Sequence, residues 1–511
     1  MILSMRISVI SLLVLAVPVA AQSRKIPTPP AAMSAIKEAD IKRDMYAMAG
    51  PSMRGREAGT LDEMRASMWV ADQMRAIGLK PAGEDGTFFQ WWNMRRTRIS
   101  TVSSSVQVGG KPVALWTEIS PTTNVAADVS ASTVFVGDGR DTTIDVRGKV
   151  AVATLIPSTT PLRTTTNTYE YRYARQAITS QSTPLVRRGA AAVIIVADST
   201  SDIAFDGVGK IQERGTYDVI GGVPRNAAPA AGAVPPQNPQ QNRTAAPVLF
   251  VHRSALSAYR ENGQNVDIRI RLEAFDAPSV NIIGVLRGTD PRLRDEYVLY
   301  SSHQDHDGVR FSVAGDSIWS GADDNASVSV ALLASARAFV KQPPKRSVLF
   351  VFHGAEERGL LGSRWHAAHP VVPLDKIVAV LNGDMIGRNH PDTASLLGIQ
   401  PPHRNSTQLV EMALEANAAT GKFVIDSLWD RPLHPEGWYF RSDHVPYARL
   451  NVPAIEFSTN LHPDYHTPRD KPENINYPKL TRMTQWMFMT GWLVANAPAR
   501  PALDAGFKLE R

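Results

Sequence analysis

Residues 297–305 read YVLYSSHQD, an apolar run of strand length that is followed at once by His303-Gln304-Asp305. Two further runs of strand length precede acidic side chains in the same way: Ser347–Phe352 comes shortly before Glu356-Glu357, and Ile377–Leu381 shortly before Asp384. In open α/β sheets, ligands and catalytic groups gather beyond the carboxyl ends of the strands. Three such coincidences in one chain predict a functional site at that edge of a sheet.

Downstream of Ser279, strand-like runs alternate with helical patterns. The helices are expected at about Ala326–Val340, Gly359–Ala368, Thr407–Ala418 and Tyr477–Ala495. This βαβ rhythm predicts an α/β domain whose sheet is mixed, mainly parallel and sandwiched by helices. Two earlier helical patterns, about Met33–Met48 and Leu61–Ile77, are assigned to the N-terminal part of the same domain.

With 511 residues the chain is long enough for more than one domain. Short β-like runs predominate between about 122 and 273, where no cluster of titratable residues has ligand spacing. We therefore predict a β-rich domain at 122–273, inserted between an N-terminal part (33–121) and a metal-binding part (274–500) of the catalytic domain. Within the insertion, Pro224–Asn242 consists largely of Ala, Pro, Gly, Gln and Asn and is predicted to be a surface loop.

The first 21 residues have the pattern of a signal peptide. Met5-Arg6 is followed by the apolar run Ile7–Val19 and by the small residues Val19-Ala20-Ala21, a typical cleavage site. The apolar run is shorter than the ~20 residues that span a bilayer, so stable membrane insertion is not expected. The pattern predicts an exported protein, either periplasmic or secreted.

The overall composition excludes several classes of function. Hydrophobic residues make up 43% and charged residues 20%, as in globular proteins. The 55 basic and 49 acidic residues are dispersed and give a formal charge of +6, so nucleic acid is not an expected partner. There are no cysteines, which excludes thiol catalysis and disulfide bonds. No pattern indicates the oligomeric state.

The candidate site is rich in imidazole and carboxylate groups, which bind Zn²⁺. Two co-catalytic ions about 3.5–4 Å apart need a bridging carboxylate, terminal ligands and a water between them. Asp323 is predicted to bridge because it lies in the Gly/Ala-rich turn GADDNAS (321–327), which opens a helix. The predicted terminal ligands are His303, Glu357, Asp384 and His466, the last within Tyr465-His466-Thr467.

The adjacent pair Glu356-Glu357 predicts two different roles for the two carboxylates. Two neighbouring carboxylates in a loop after a strand can point to different partners, one binding metal and the other taking a proton from water. We assign Glu357 as the ligand and Glu356 as the general base, with Asp305 orienting the imidazole of His303. A serine-hydrolase site is not indicated, because no Gly-x-Ser-x-Gly segment occurs.

These segments resemble the co-catalytic zinc exopeptidases of clan MH, the family of bacterial leucyl aminopeptidases and glutamate carboxypeptidase II. The matching pieces are His303-Gln304-Asp305, residues 321–327, Glu356–Ser363, Asn382–Met385, Ser442-Asp443-His444 and Tyr465-His466-Thr467. Residues 53–60 resemble the N-terminal segment of the family. The stretch from Asp145 to Val251 resembles a protease-associated domain that is inserted in some members.

The resemblance implies two zinc ions per chain and assigns a role to each candidate residue. The ligands would be His303, Asp323, Glu357, Asp384 and His466, with Glu356 as base, Asp305 as a supporting residue and Tyr465 as the group that stabilises the oxyanion. It also implies peptide substrates that are cleaved at a terminus.

The sequence favours an aminopeptidase but leaves alternatives open. They are a zinc carboxypeptidase or dipeptidase of the same family, a glutaminyl-peptide cyclotransferase with one zinc, and a non-enzymatic receptor-like protein. A carboxypeptidase needs a basic residue near the substrate carboxylate, for which Arg388, Arg431 and Arg441 are candidates. The aromatic residues Trp429, Trp438, Tyr439 and Phe440 are candidates for lining a side-chain pocket.

Overall fold

The computed structural model describes residues 26–159, 169–224 and 246–509. The predicted signal peptide (1–21) and all of the predicted loop Pro224–Asn242 except Pro224 lie outside the described residues. Within the described ranges, every helix is too short or too polar to cross a lipid bilayer.

The helices and strands of the described residues are numbered in chain order. The helices are α1 Glu38–Met48, α2 Leu61–Ile77, α3 Tyr169–Arg187, α4 Ser199–Asp202, α5 Phe205–Arg214, α6 Leu256–Tyr259, α7 Ser327–Lys341, α8 Leu361–Ala368, α9 Thr407–Ala419, α10 His444–Arg449 and α11 Tyr477–Asn496. The strands are β1 Lys80–Pro81, β2 Phe89–Ile99, β3 Ser105–Val108, β4 Lys111–Val113, β5 Ile119–Pro121, β6 Ala127–Phe135, β7 Val150–Thr154, β8 Ala192–Val196, β9 Thr216–Val219, β10 Val248–Val251, β11 Asn265–Ile270, β12 Leu272–Leu286, β13 Tyr297–His303, β14 Gly308–Val313, β15 Asp316–Trp319, β16 Ser347–His353, β17 Ile377–Asp384, β18 Thr393–Leu397, β19 Val424–Ile425 and β20 Ala454–Ser458.

The main sheet has ten strands in the order β19-β18-β20-β17-β13-β16-β12-β2-β9, with β1 beside β12. The central strands β16, β13, β17 and β20 are parallel, because the connections between them contain the helices α7, α8, α9 and α10. Strands β12, β2 and β9 run antiparallel to their neighbours, and β18 runs antiparallel to β20. The predicted mixed sheet is confirmed, but its parallel order is confined to the centre and to the pair β18–β19.

A second sheet of eight strands has the order β4-β3-β11-β6-β7-β8-β10-β5. We call residues 105–270, which contain this sheet and α3–α6, the insert. The chain leaves the main sheet at the end of β2 and returns along β12, and these two strands pair from Ile99↔Leu272 to Phe89↔Ile282.

The insert starts earlier than the predicted boundary at 122. Strands β3, β4 and β5 lie within residues 33–121, which the sequence assigns to the catalytic domain, yet they pair within the second sheet. Conversely, β9 lies inside the insert sequence but pairs with β2 of the main sheet. Local patterns identify strands, but they do not specify the distant strand with which each one pairs.

The central strands of the main sheet are buried on both faces. Val298 and Tyr300 of β13 pack in the cluster that contains the buried faces of α1, α2, α7 and α11, whereas Leu299 packs with α8 and α10 on the other face. A strand that is covered on both faces needs a near-continuous apolar run, which explains the sequence of β13 and β16. In these two strands the ionisable residues His303 and His353 accordingly lie at the carboxyl ends.

Arg56 connects the N-terminal segment to the loops at one of those ends. Its fully buried guanidinium donates to four backbone carbonyls, those of Gln304 (2.7 Å), Met48 (3.0 Å), Ser320 (2.7 Å) and Gly321 (2.9 Å). Burial lowers the pKa of Arg56 to about 10, while the nearby Asp305 acts in the opposite direction. The segment at 53–60 thus has an identifiable structural role.

Arg56→Met is expected to lower the free energy of unfolding by about 3–5 kcal/mol, because it leaves several buried carbonyl groups without a donor. Arg54→Met is the matched control, since Arg54 is half exposed and its 3.2 Å ion pair with Asp62 is worth about 1 kcal/mol or less. Urea unfolding followed by circular dichroism measures both variants. Equal losses in the two would show that the four hydrogen bonds do not stabilise the fold.

Candidate metal centre

Ionisable side chains from several connections meet at the carboxyl edge of the central parallel strands. His303 is the last residue of β13 and Asp384 is the last residue of β17. Glu356 and Glu357 form a short turn after β16. Asp324 lies in the turn before α7, and His466 lies in the loop after β20. The strand ends therefore bring His303, Asp384 and the Glu356-Glu357 pair to one edge of the sheet, as the sequence predicts.

Two groups of side chains have ligand atoms within 4.8 Å of one another. The first consists of His303, Glu356 and Asp384, and the second of His306, Asp324, Glu357 and His466. In the first group, His303 Nε2 lies 3.7 Å from Asp384 Oδ1 and 3.8 Å from Glu356 Oε2. In the second, Glu357 Oε1 lies 2.8 Å from His306 Nδ1 and 3.1 Å from His466 Nε2.

Asp324 connects the two groups. Its Oδ1 lies 3.3 Å from His303 Nε2, and its Oδ2 lies 3.0 Å from His466 Nε2. The two oxygens of one carboxylate thus face one group each, which is the geometry that a bridging ligand requires.

Asp323 does not occupy this position, contrary to the prediction. Its Oδ1 accepts a 2.6 Å hydrogen bond from the backbone N–H of Gly387, and its Oδ2 lies 3.5 Å from His462. Burial, and next the nearby Asp470, raises the pKa of Asp323 to about 8. The backbone of the turn directs its carboxylate away from His303 and His466, so Asp324 takes the place between the two groups.

The turn that presents Asp324 is held on two sides. Asn325 donates to the carbonyl of Gly383 (3.0 Å), and Asp470 accepts from the backbone N–H of Asp324 (3.0 Å). Gly321 has a φ of 56°, and a Cβ atom there would lie 2.3 Å from the ring of His306. Glycine is therefore required at 321 both by the backbone conformation and by the close approach of His306.

The donor set fits divalent metal ions. His303 Nε2, Glu357 Oε1 and Asp384 Oδ1 are buried and make no well-aligned hydrogen bond to any described residue. Burial and the adjacent carboxylates of Glu357 and Asp384 raise the pKa of Glu356 well above its usual range, although His303 opposes the shift. So many converging carboxylates require positive charge among them. Imidazole and carboxylate ligands without thiolate suit Zn²⁺.

Residues 281–490 match the model of Peptidase family M28. This segment belongs to that family. This segment, which we call the M28 domain, extends from β12 through most of α11 and contains both groups of candidate ligands.

The chain is 29% identical over 247 residues to Aminopeptidase YwaD of Bacillus subtilis, covering 47% of this chain and 49% of that protein. It is 26% identical over 267 residues to a probable zinc metalloprotease of Pyrenophora tritici-repentis, covering 44% of this chain and 59% of that protein.

The chain thus spans about half the length of the curated relatives it matches. Solved structures resemble a larger share of it. An aminopeptidase from Aneurinibacillus sp. strain AM-1 has a TM-score of 0.55 at 17% identity, covering 93% of this chain and 97% of that one. BSAP, a zinc aminopeptidase from Bacillus subtilis, has a TM-score of 0.55 at 19% identity, covering 93% and 98%. These likenesses show that the fold is shared across the M28 domain and the insert.

Asp305 of the M28 domain supports the glutamate pair. Its carboxylate accepts from the backbone N–H groups of Glu356 (3.0 Å) and Glu357 (3.3 Å). Its Oδ1 lies 3.8 Å from His303 Nδ1, which is closer to the backbone carbonyl of Asp305 (3.1 Å). The carboxylate of Asp305 therefore holds the Glu356-Glu357 turn in place, and its backbone carbonyl contacts the imidazole.

Tyr465 lies beside His466, and its hydroxyl accepts a 2.7 Å hydrogen bond from Arg441. Because the hydroxyl accepts from Arg441, its own proton remains available to another acceptor. Of the other two basic candidates, Arg388 is paired with Asp464 and Arg431 is exposed. Arg441 is therefore the basic residue, among these three, that the M28 domain brings to the metal centre.

A cavity of about 420 Å³ adjoins both ligand groups. Of the aromatic residues considered, Trp438 and Phe440 line it, together with Leu360, Val445 and Pro446. Trp429 and Tyr439 pack behind it in the same hydrophobic cluster as Trp438. This cavity of the M28 domain can accept an apolar side chain next to the metal centre.

Sequence reasoning missed His306. It lies three residues after His303, close to Glu357 and His466, and its ring is fully buried. The spacing in HQDH contained the signal, because a second imidazole so soon after a strand end remains near the same edge of the sheet. The structure adds His306 to the candidate ligands of the second group.

Proposed function

We propose that this protein is an exported metallopeptidase that uses two zinc ions to remove residues from peptide termini, with amino termini preferred. The observation that carries the proposal is the position of Asp324 between two groups of imidazole and carboxylate ligands, with Glu356 beside them. The relatives named as an aminopeptidase and a zinc metalloprotease support it. Export rests on the signal-peptide pattern, and N-terminal sequencing of the protein from periplasm or medium should begin at Gln22.

Each ion would have its own ligands in addition to the shared Asp324. His303 and Asp384 would hold one ion, and Glu357 and His466 the other, with His306 adjacent to the second. Zinc at such a site supplies Lewis acidity, which lowers the pKa of water and polarises a carbonyl group.

The protein side chains then provide proton transfer and charge stabilisation. Glu356 accepts a proton from the attacking water and returns it to the leaving amine. The hydroxyl of Tyr465, fixed by Arg441, donates to the oxygen of the scissile carbonyl as negative charge develops there. Asp305 keeps Glu356 in position through the backbone of the Glu356-Glu357 turn.

Preference for an amino terminus rests on the aminopeptidase relative and on the space beside the ligands. The 420 Å³ cavity there can hold the side chain of a terminal residue, and the part of its lining formed by Trp438, Phe440 and Leu360 favours apolar residues.

The purified protein is expected to contain about two zinc ions per chain and to lose hydrolysis when a chelator removes them. Elemental analysis measures the first, and assays with aminoacyl chromogenic substrates before and after chelation and zinc re-addition measure the second. N-blocked dipeptides serve as the matched control, because blocking removes the amine that the site must hold.

Three outcomes would contradict parts of the proposal. Cleavage confined to N-blocked peptides would indicate a carboxypeptidase or dipeptidase. One zinc per chain together with cyclisation of N-terminal glutamine would indicate a glutaminyl-peptide cyclotransferase. Binding of peptides without turnover by the zinc-loaded protein would indicate a receptor-like function.

A further inference from the structure

A second and larger cavity, of about 1290 Å³, also reaches the metal centre, where Glu357, Tyr465 and His466 form part of its wall. It lies between the M28 domain and the insert, since α3 of the insert provides another part of the wall. Seven arginines and three acidic residues line it. The cavity is therefore strongly cationic, whereas the smaller cavity around Trp438 has three arginines and four carboxylates beside its apolar side chains.

Three of these arginines surround Asp307 close to the metal centre. Arg214, Arg310 and Arg358 each form an ion pair with Asp307, and Arg214 and Arg358 also approach Glu57. Asp307 in addition lies 3.3 Å from His466 Nδ1. The cations of this inner group therefore outnumber its carboxylates.

Two donor atoms of Arg358, Nε and Nη2, are not used in well-aligned hydrogen bonds within this inner group. Its side chain is only 6% exposed, and its Nε and Nη2 make no well-aligned hydrogen bond to any described residue. A buried charged donor in a cavity wall indicates an anionic ligand.

The remaining arginines form an outer group. Arg172 of the insert and Arg441 of the M28 domain share one carboxylate, that of Glu436, at 3.4 Å and 3.0 Å. Arg175 stacks on the ring of Tyr171 and, like Arg187, has no acidic partner among the described residues. Arg172, Arg175 and Arg187 lie on the face of α3 that lines the cavity, three and twelve residues apart.

We propose that this arginine-lined cavity binds carboxylate groups of the peptide on the far side of the scissile bond, so that short acidic peptides are the preferred substrates. The inference rests on the proposed peptidase function and names its substrate class. The planar guanidinium group matches a carboxylate through paired hydrogen bonds. The terminal residue occupies the smaller cavity beside Trp438, and the rest of the peptide extends between the metal centre and α3. The carboxylate can be the side chain of Asp or Glu or the free C-terminus of a short peptide.

The test measures peptide binding without turnover. Isothermal titration calorimetry is carried out at low salt on the full-length Glu356→Gln protein. It compares four peptides, namely Leu-Gly-Glu and Leu-Gly-Gln, each with a free C-terminus and as the C-terminal amide. Leu-Gly-Glu is expected to bind at least about tenfold more tightly than the uncharged Leu-Gly-Gln amide. The two peptides with a single carboxylate distinguish a side-chain contact from a C-terminal one.

Arginine variants test whether the tighter binding of the charged peptides arises in the arginine-lined cavity. Adding Arg172→Ala and Arg175→Ala together should reduce the difference between the charged and uncharged peptides to about twofold or less. Arg140→Ala, an exposed position of the same insert outside the cavity lining, is the matched control and should leave the difference intact. Similar binding of all four peptides, or an acidic preference that survives the double substitution, overturns the inference. Hydrolysis of the Leu-Gly-Gln amide by the native protein reports separately on the proposed function.

Discussion

Glu356→Gln is expected to lower kcat by about 10²–10⁴-fold while the zinc content stays near that of the native protein. The amide keeps the shape of the side chain but cannot accept a proton from water. Glu356 lies beside the group around His303, with its Oε2 3.8 Å from that imidazole, and the proposed ligand sets leave its carboxylate for proton transfer. Steady-state kinetics and elemental analysis on the same preparation measure both quantities.

Glu357→Gln is the matched control, because it makes the same chemical change at the neighbouring position. Glu357 contacts His306 and His466 at 2.8 Å and 3.1 Å, so its loss should weaken zinc binding first and lower activity as a consequence. Excess zinc should therefore restore part of the activity of Glu357→Gln and none of that of Glu356→Gln. The reverse pattern would exchange the roles of the two glutamates.

Asp324→Asn is expected to weaken zinc binding by more than about 100-fold and to reduce the zinc content below two per chain. Loss of an outer residue that only supports a ligand costs about 10–100-fold, and loss of a shared ligand should cost more. The prediction follows from the distances of the two Asp324 oxygens to His303 and His466. Competition with a chromophoric chelator measures the affinity.

Asp323→Asn makes the same change one residue earlier. Asp323 contacts Gly387 and lies 3.5 Å from His462. We therefore expect the zinc affinity of the Asp323→Asn variant to fall by no more than about tenfold, with a lower melting temperature as the main effect. Loss of both ions in Asp323→Asn and their retention in Asp324→Asn would show that the turn adopts another conformation in the zinc-loaded protein.

Much of the secondary structure around the main sheet was predictable from local patterns. Helix α2 coincides with the predicted Leu61–Ile77, and the predicted runs Ser347–Phe352 and Ile377–Leu381 form most of β16 and β17. The full length of strand β12 is not evident from apolar patterns, because only its second half is buried. Its first half alternates exposed and half-buried residues and is stabilised by pairing with β2, which is remote in sequence.

The sequence by itself determined the residue types of the site and the strands that carry them, because apolar periodicity and ligand chemistry are local properties. It did not determine which aspartate of 323–324 lies between the two groups, since that depends on the turn held by Asn325 and Asp470. Nor did it reveal the arginine-lined cavity, whose wall combines α3, the region around Asp307 and the loop of Arg441. Those arginines are more than 250 residues apart in the chain at the extremes, and only the docking of the insert against the M28 domain brings their charges into one space.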